Sequence, residues 1–221
     1  IRCSTNLRIG VAMQYKLHYR RKLPHYQPKQ GVFFVTFRLA FAIPPKFLSA
    51  LNDFRTKLND EANPYERDNK VRIKKRLIAF MDEAYNDCHS ELSLTADPRI
   101  ANVISDEIQS LCGTMYSLYA YTIMPNHVHL VIKPNSDGDN AVSLADVLKR
   151  IKGATARSIN LMLNRTGRVW YHEYYDYWVR SQEELFRIID YVRQNPVKAK
   201  LVEKPKDWVY TFVSPDLLSE E

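Results

Sequence analysis

Two spacings of apolar residues alternate along the chain and divide it into strands and helices. Gly31 to Leu39, reading Val-Phe-Phe-Val-Thr-Phe between its ends, is rich in the aromatic and β-branched residues of strands. Pro44-Pro45 opens a helix over 46–58 in which Phe47, Leu51, Phe54 and Leu58 recur at helical spacing. A second helix is expected over 67–85. A third is capped by Asp97-Pro98 and runs to about Leu111, with Ile100, Val103, Ile104 and Ile108 on one side. Tyr116 to Ile123 and the run His127-Val-His-Leu-Val-Ile132, joined through Pro125-Asn126, predict an antiparallel hairpin.

Ser143 and Asp146 form a capping box opening a helix whose stripe is Leu144, Val147, Leu148, Ile151, Ile159 and Met162. Lys149, Arg150, Lys152 and Arg157 fall outside that stripe. Arg168 to Arg180 is aromatic and extended, more in keeping with a crowded core edge than with base stacking. A last helix starts at Ser181 with Glu184 as box partner and buries Leu185, Ile188, Ile189 and Val192. Tyr191 and Asn195 share another face, and Pro196 is expected to end the helix at Asn195.

Charge changes the picture at one end only. Of the net +7, residues 1–30 hold seven basic residues and no acid, and the rest balances at 25 of each. This predicts a basic arm over 1–30, a single domain over 31–213 and a tail over 214–221, with no internal repeat or linker. An arm of this kind either grips nucleic-acid phosphates or is simply solvated. Three scattered cysteines (Cys3, Cys88, Cys112) read as reduced thiols. No apolar run approaches a membrane span, and Ile1 to Gly10 lacks the pattern of a secretory signal, so a cytoplasmic protein is expected.

The candidate chemistry lies in Met124-Pro-Asn-His-Val-His-Leu-Val131. Residues two apart on a strand share a face, so His127 and His129 aim at one point that could hold a metal ion. A structural histidine bonded to a carbonyl remains the alternative. His172 and Glu173 are further possible ligands. Lys149, Lys152, Arg157 and Arg180, with Arg20, Arg21 and Lys22 of the arm, are candidate DNA phosphate contacts, and a solvated face is the alternative for each.

Several stretches together resemble one family. They are Pro24-His-Tyr-Gln-Pro28, the His127/His129 pair, Lys152-Gly153 with Ala156 and Asn160, Trp170 with Glu173, Tyr175 and Asp176, Tyr191-Val-Arg-Gln-Asn-Pro-Val197, and Trp208. The sequence resembles the single-tyrosine transposases of the HUH (histidine, hydrophobic, histidine) endonuclease superfamily, and among them the REP-associated tyrosine transposases.

That resemblance implies an α+β fold: a ferredoxin-like antiparallel sheet with helices on one side, here with an inserted helical segment over about 60–97. It implies single-stranded or hairpin DNA as substrate, Tyr191 as nucleophile forming a 5′-phosphotyrosine, and His127, His129 and Asn195 as ligands of Mg2+ or Mn2+. Monomer and homodimer are both open. Competing readings are a non-catalytic nucleic-acid binder that stacks bases on Phe33, Phe34 and Phe37, and a hydrolase that uses water.

Overall fold

The computed structural model describes residues 18–20, 24–41, 43–59, 67–88, 90–136 and 141–217. A small ribbon, β1 (His18–Arg20) with β2 (Pro24–Tyr26), precedes the main sheet. The following elements are β3 (Val32–Arg38), α1 (Pro45–Asn59), α2 (Arg67–Asn86), α3 (Pro98–Ser110), β4 (Tyr116–Ile123) and β5 (His127–Pro134). Then come α4 (Leu144–Met162), β6 (Tyr175–Val179), α5 (Gln182–Lys198) and β7 (Thr211–Val213).

The main sheet is antiparallel in the order β6-β3-β5-β4-β7. Its first four strands, taken in chain order, lie fourth, first, third, second, which is the ferredoxin-like βαββαβ arrangement. The expected α+β class and the β4–β5 hairpin are therefore present. The fifth strand, β7, is a three-residue edge strand too short to leave a periodic signal.

The helices do not lie on one side only. On one face α3 and α4 pack Ile100, Ile104, Ile108, Val147, Leu148 and Ile151 against Phe33, Val35, Val128, Leu130 and Ile132. On the other, α1, α2 and α5 bring Leu51, Leu77, Ile189 and Val192 onto Phe34, Ala120, Val131 and Tyr177. The reason is visible in the sheet as a whole, where Phe33, Val35 and Phe37 of β3 face one way and Phe34 of β3, Val131 of β5 and Ala120 of β4 face the other: a sheet with apolar residues on both faces requires cover on both. Phe33, Phe34 and Phe37 are all buried in these two layers, so the structure does not offer them as a stacking platform. The aromatic stretch 168–180 is a strand only from Tyr175; before it, Trp170 is held by a single bridge to Leu39 and by its indole N–H donated to Thr155 Oγ1 at 2.9 Å.

The carboxy-terminal helix also departs from expectation. Pro196 has no N–H to offer the Val192 carbonyl, yet α5 continues through Lys198. Its last turn is closed by Ala199 N–H to Asn195 O, Lys200 N–H to Val197 O and Leu201 N–H to Pro196 O, a Schellman motif with Lys200 left-handed at φ 59°. These bonds, together with the Asn195 side chain anchored on α2, keep Asn195 helical despite the proline that follows. A lysine at φ 59° bears a Cβ penalty that glycine escapes. Lys200→Gly is therefore expected to raise unfolding stability by about 0.5–1 kcal/mol in urea titrations; no gain would mean that the turn does not set the end of α5.

Candidate functional site

The site is assembled from three elements on the sheet face covered by α1, α2 and α5. His127 and His129 project from β5 onto that face, both fully buried, flanked by Arg38 and Thr36 opposite them on β3. Asp82 descends onto them from α2, and Tyr191 and Asn195 approach from α5. Among the described residues, Asp82, His127 and His129 form the one cluster of three metal-ligating side chains, with ligand atoms within 4.8 Å of one another.

Hydrogen bonds fix how each imidazole presents itself. Asn126 donates its amide to the carbonyls of Tyr85 (2.8 Å) and Cys88 (3.4 Å), so its Oδ1 faces His127 Nδ1 at 2.8 Å. Because Oδ1 can only accept, the His127 proton sits on Nδ1 and the Nε2 lone pair is directed into the site. His129 Nδ1 lies 2.9 Å from Thr36 Oγ1, which leaves its Nε2 facing inward too. The two Nε2 atoms are 3.1 Å apart, and Asp82 Oδ2 lies 3.4 Å from that of His129.

Asp82 is also the junction between helices. Its Oδ2 accepts from the Tyr191 hydroxyl and, at 3.0 Å, from the Asn195 amide. Asp82 Oδ1 and Asn195 Oδ1 are buried without a hydrogen-bond partner. Two converging nitrogens and two orphaned buried oxygens are the donor set of a divalent cation, so the residues fit the metal that the sequence implies. Seven residues before Asp82, Lys75 pairs with Glu184 at 2.6 Å, and Glu184 stands seven before Tyr191. The helices are thus tied by two rungs about 10 Å apart. Glu184 also accepts from the Tyr177 hydroxyl and the Arg180 N–H, in place of the Ser181 N–H that a complete capping box would use.

The electrostatics follow from burial and from this junction. Burial raises the Asp82 carboxyl, but His129, His127 and the Tyr191 hydroxyl outweigh it and leave its pKa below the ordinary value. Burial, and then the neighbouring His129, push His127 down to about 3, against the pull of Asp82. Burial first, then the Asp82 charge and hydrogen bond, raise Tyr191 well above an ordinary phenol. The resting site therefore holds a neutral His127, an ionised Asp82 and a protonated Tyr191.

The remaining sequence candidates lie elsewhere. His172 is exposed and 3.9 Å from Glu173, and neither joins the His127/His129 cluster. Lys149, Lys152 and Arg157 belong to α4, on the sheet face opposite the histidines. Lys152 donates to the carbonyls of Tyr171 (2.6 Å) and His172 (3.1 Å), tying α4 to that loop. Lys149 and Lys152 border a hollow with Arg168 and His172. Arg180 is exposed and sits 5.4 Å from the Trp178 ring. The Arg20 side chain, Arg21 and Lys22 lie outside the described residues.

Asp82 was not anticipated from the sequence. It sits in the segment 60–97, in an ordinary charged helical stretch, and no motif marks it apart from its neighbours Glu83 and Asp87. Its role follows from α2 being laid across β5.

Because His127 is neutral when folded and titrates near 6.5 when unfolded, the unfolded chain binds more protons between pH 6.5 and about 3. Stability in the presence of a chelator is therefore expected to fall as pH drops through that window, by at most about 1.4 kcal/mol per pH unit. Urea titrations at pH 7 and 4.5 test this; His127→Gln should show a shallower decline, and parallel curves would refute the assignment.

The model of the family described as IS200-like transposase matches residues 72–195, which include Asp82, both histidines, Tyr191 and Asn195. A Haemophilus influenzae protein described as a REP-associated tyrosine transposase is 27% identical over 111 residues, 48% of this chain and 63% of that protein. The chain thus spans less than two thirds of that relative. A solved REP-associated tyrosine transposase bound to a REP hairpin aligns over 87% of this chain and 80% of its own, at 15% identity and a TM-score of 0.48. With more than half of its length matched by the family model, including every residue of the His/Asp/Tyr/Asn site, the chain belongs to the IS200-like transposases.

Proposed function

We propose that the protein nicks and rejoins single-stranded DNA beside a hairpin, with Tyr191 as nucleophile. The observation that carries this reading is the convergence of Tyr191 and Asn195 on Asp82, directly over the paired imidazoles of one and the same chain. Mg2+ or Mn2+ would be held by His127 Nε2, His129 Nε2 and oxygens of Asp82 and Asn195, where it would draw charge from the nonbridging oxygens of a phosphate and offset the negative charge of Asp82 beside the phenol.

The residues of the chain divide the remaining work. As the Tyr191 oxygen forms its bond to phosphorus, the phenol proton passes to Asp82 Oδ2, which already accepts its hydrogen bond. The bond from phosphorus to the O3′ oxygen breaks, and O3′ takes a proton from solvent. The products are a 5′-phosphotyrosine and a free 3′-OH, and rejoining runs the same steps in reverse. Asn126 and Thr36 hold the imidazoles in register, and burial excludes water as a competing nucleophile.

Access is provided between the helices. A groove between α2 and α5 is lined by Phe34, Lys75, Ala79, Glu184, Arg187, Ile188 and Tyr191; Lys75 is paired with Glu184, and Arg187 would suit a passing phosphate backbone. In the resting arrangement Tyr191 is spent on Asp82, so entry of the scissile phosphate exchanges that contact for contacts to DNA. The hollow bordered by Lys149, Lys152, Arg168 and His172, on the opposite sheet face, would suit the backbone of a hairpin stem. The name of the Haemophilus influenzae relative supports a repeated palindromic element as target.

The test is a covalent adduct. Incubated with a hairpin-bearing DNA strand and Mn2+, the wild-type chain is expected to yield a protein–DNA adduct that a chelator suppresses. Tyr191→Phe should bind the strand and form none, and Asp82→Asn should slow adduct formation by about 100-fold or more. Cleavage that survives in Tyr191→Phe would assign the nucleophile to water and defeat the reading.

A further inference from the structure

Beside the His/Asp site, under α1 and α2, lies a cavity of about 320 Å³ that the nicking mechanism does not use. Its walls are mostly apolar and aromatic: Phe41 after β3, Tyr85 of α2, Tyr171 and Tyr174 before β6, and Leu51 and Leu77 beneath the two helices. It meets the site at two points. Thr36, in its wall, holds His129 Nδ1 at 2.9 Å, and the Tyr85 ring lies 5.1 Å from that of His127.

The unusual member of the wall is Arg38. It is 6% exposed and makes no ion pair among the described residues. Its NH1 donates to the carbonyls of Leu39 (3.0 Å) and Phe41 (2.7 Å), and its guanidinium lies 3.9 Å from the Tyr171 ring centroid and 4.7 Å from that of Phe41. Desolvating a cation without a carboxylate partner is costly, and burial lowers the pKa of this one. A ligand that stacks on aromatic faces and brings its own acceptors would recover part of that cost.

We infer that this cavity receives an unpaired nucleobase from the nucleotide adjoining the scissile phosphate. The inference rests on the function proposed above. Arg38 is the direct cross-strand neighbour of His127, so the cavity begins one strand, about 5 Å, from the imidazoles. A phosphate over the histidines therefore has an adjacent base within reach of it. The contents of the wall decide between base and phosphate. Phosphate would exchange its hydration for a largely apolar chamber that holds the Glu173 carboxylate and one guanidinium already committed to two carbonyls, whereas a flat base is matched by Tyr85, Tyr171 and Arg38. Such a pocket would fix the register of the strand on Tyr191, as extruded bases do in other nucleic-acid enzymes.

The experiment uses the full chain carrying Tyr191→Phe, with hairpin-bearing strands whose junction has been mapped from the wild-type adduct. A 2-aminopurine is placed at each position around the junction, and a parallel set carries an abasic site at each. One position adjoining the junction is expected to show strong fluorescence quenching, and an abasic site there should weaken binding about tenfold. Leu48, 44% exposed at the rim, allows the cavity to be obstructed from outside: Leu48→Trp should abolish that position's advantage, as should Tyr171→Ala. If the wild-type adduct forms but no position is quenched, or abasic sites are tolerated throughout, or neither variant changes the pattern, the pocket inference is overturned while the nicking reading stands. If no strand is bound and no adduct forms, both are overturned.

Discussion

One carboxylate holds the site together. Asp82 reaches from α2 to the sheet, faces both imidazoles, and through one oxygen fastens Tyr191 and Asn195 of α5. Such a group is expensive to bury, and the hydrogen bonds donated by the phenol and the amide offset part of that cost. Tyr191 in turn is kept protonated by the charge that steers it. In the proposed reaction the same contact would place the phenol beside its proton acceptor, and a cation held by the imidazoles would offset the charge that keeps it protonated.

The frame around that carboxylate explains why the geometry persists. The Lys75–Glu184 pair repeats the α2–α5 connection seven residues earlier, and Glu184 is itself held by Tyr177 and the Arg180 N–H. Beneath, Asn126 and Thr36 dictate the orientation of each imidazole from the strand hairpin and from β3. In the proposed reaction the sheet would supply the ligands and α5 the nucleophile, and a groove runs between α2 and α5. The division suits a reaction in which a strand must enter, be held covalently and leave.

Much of the fold was legible because its signals are local. The three-helix and hairpin pattern, the Asp97, Ser143 and Ser181 caps and the βαββαβ order follow from periodicity and capping residues that act within a few positions. Where the reading departed, a tertiary contact overrode a local rule. Pro196 should end α5 at Asn195, but the Schellman closure and the Asn195–Asp82 bond carry the helix past it. Helices were expected on one face, and the apolar residues that the strands together place on both faces required them on both. Lys152, a candidate phosphate contact by its charge, also donates to the Tyr171 and His172 carbonyls and so ties α4 to that loop, a role its sequence position does not signal.

The sequence by itself determined the pair His127/His129, since i and i+2 on a strand must share a face, and through its Tyr191 to Val197 block it marked the helix that carries the phenol. It could not reveal Asp82, because one acid among several on a charged helix has no pattern of its own. Nor could it reveal Arg38, whose isolation in an aromatic wall depends on strands and helices distant in sequence. Only the tertiary structure, by laying α2 across β5 and α5 beside it, decided which acid completes the site. The physical reason is range: periodicity fixes which way a side chain faces, but a site made from three elements depends on how those elements pack.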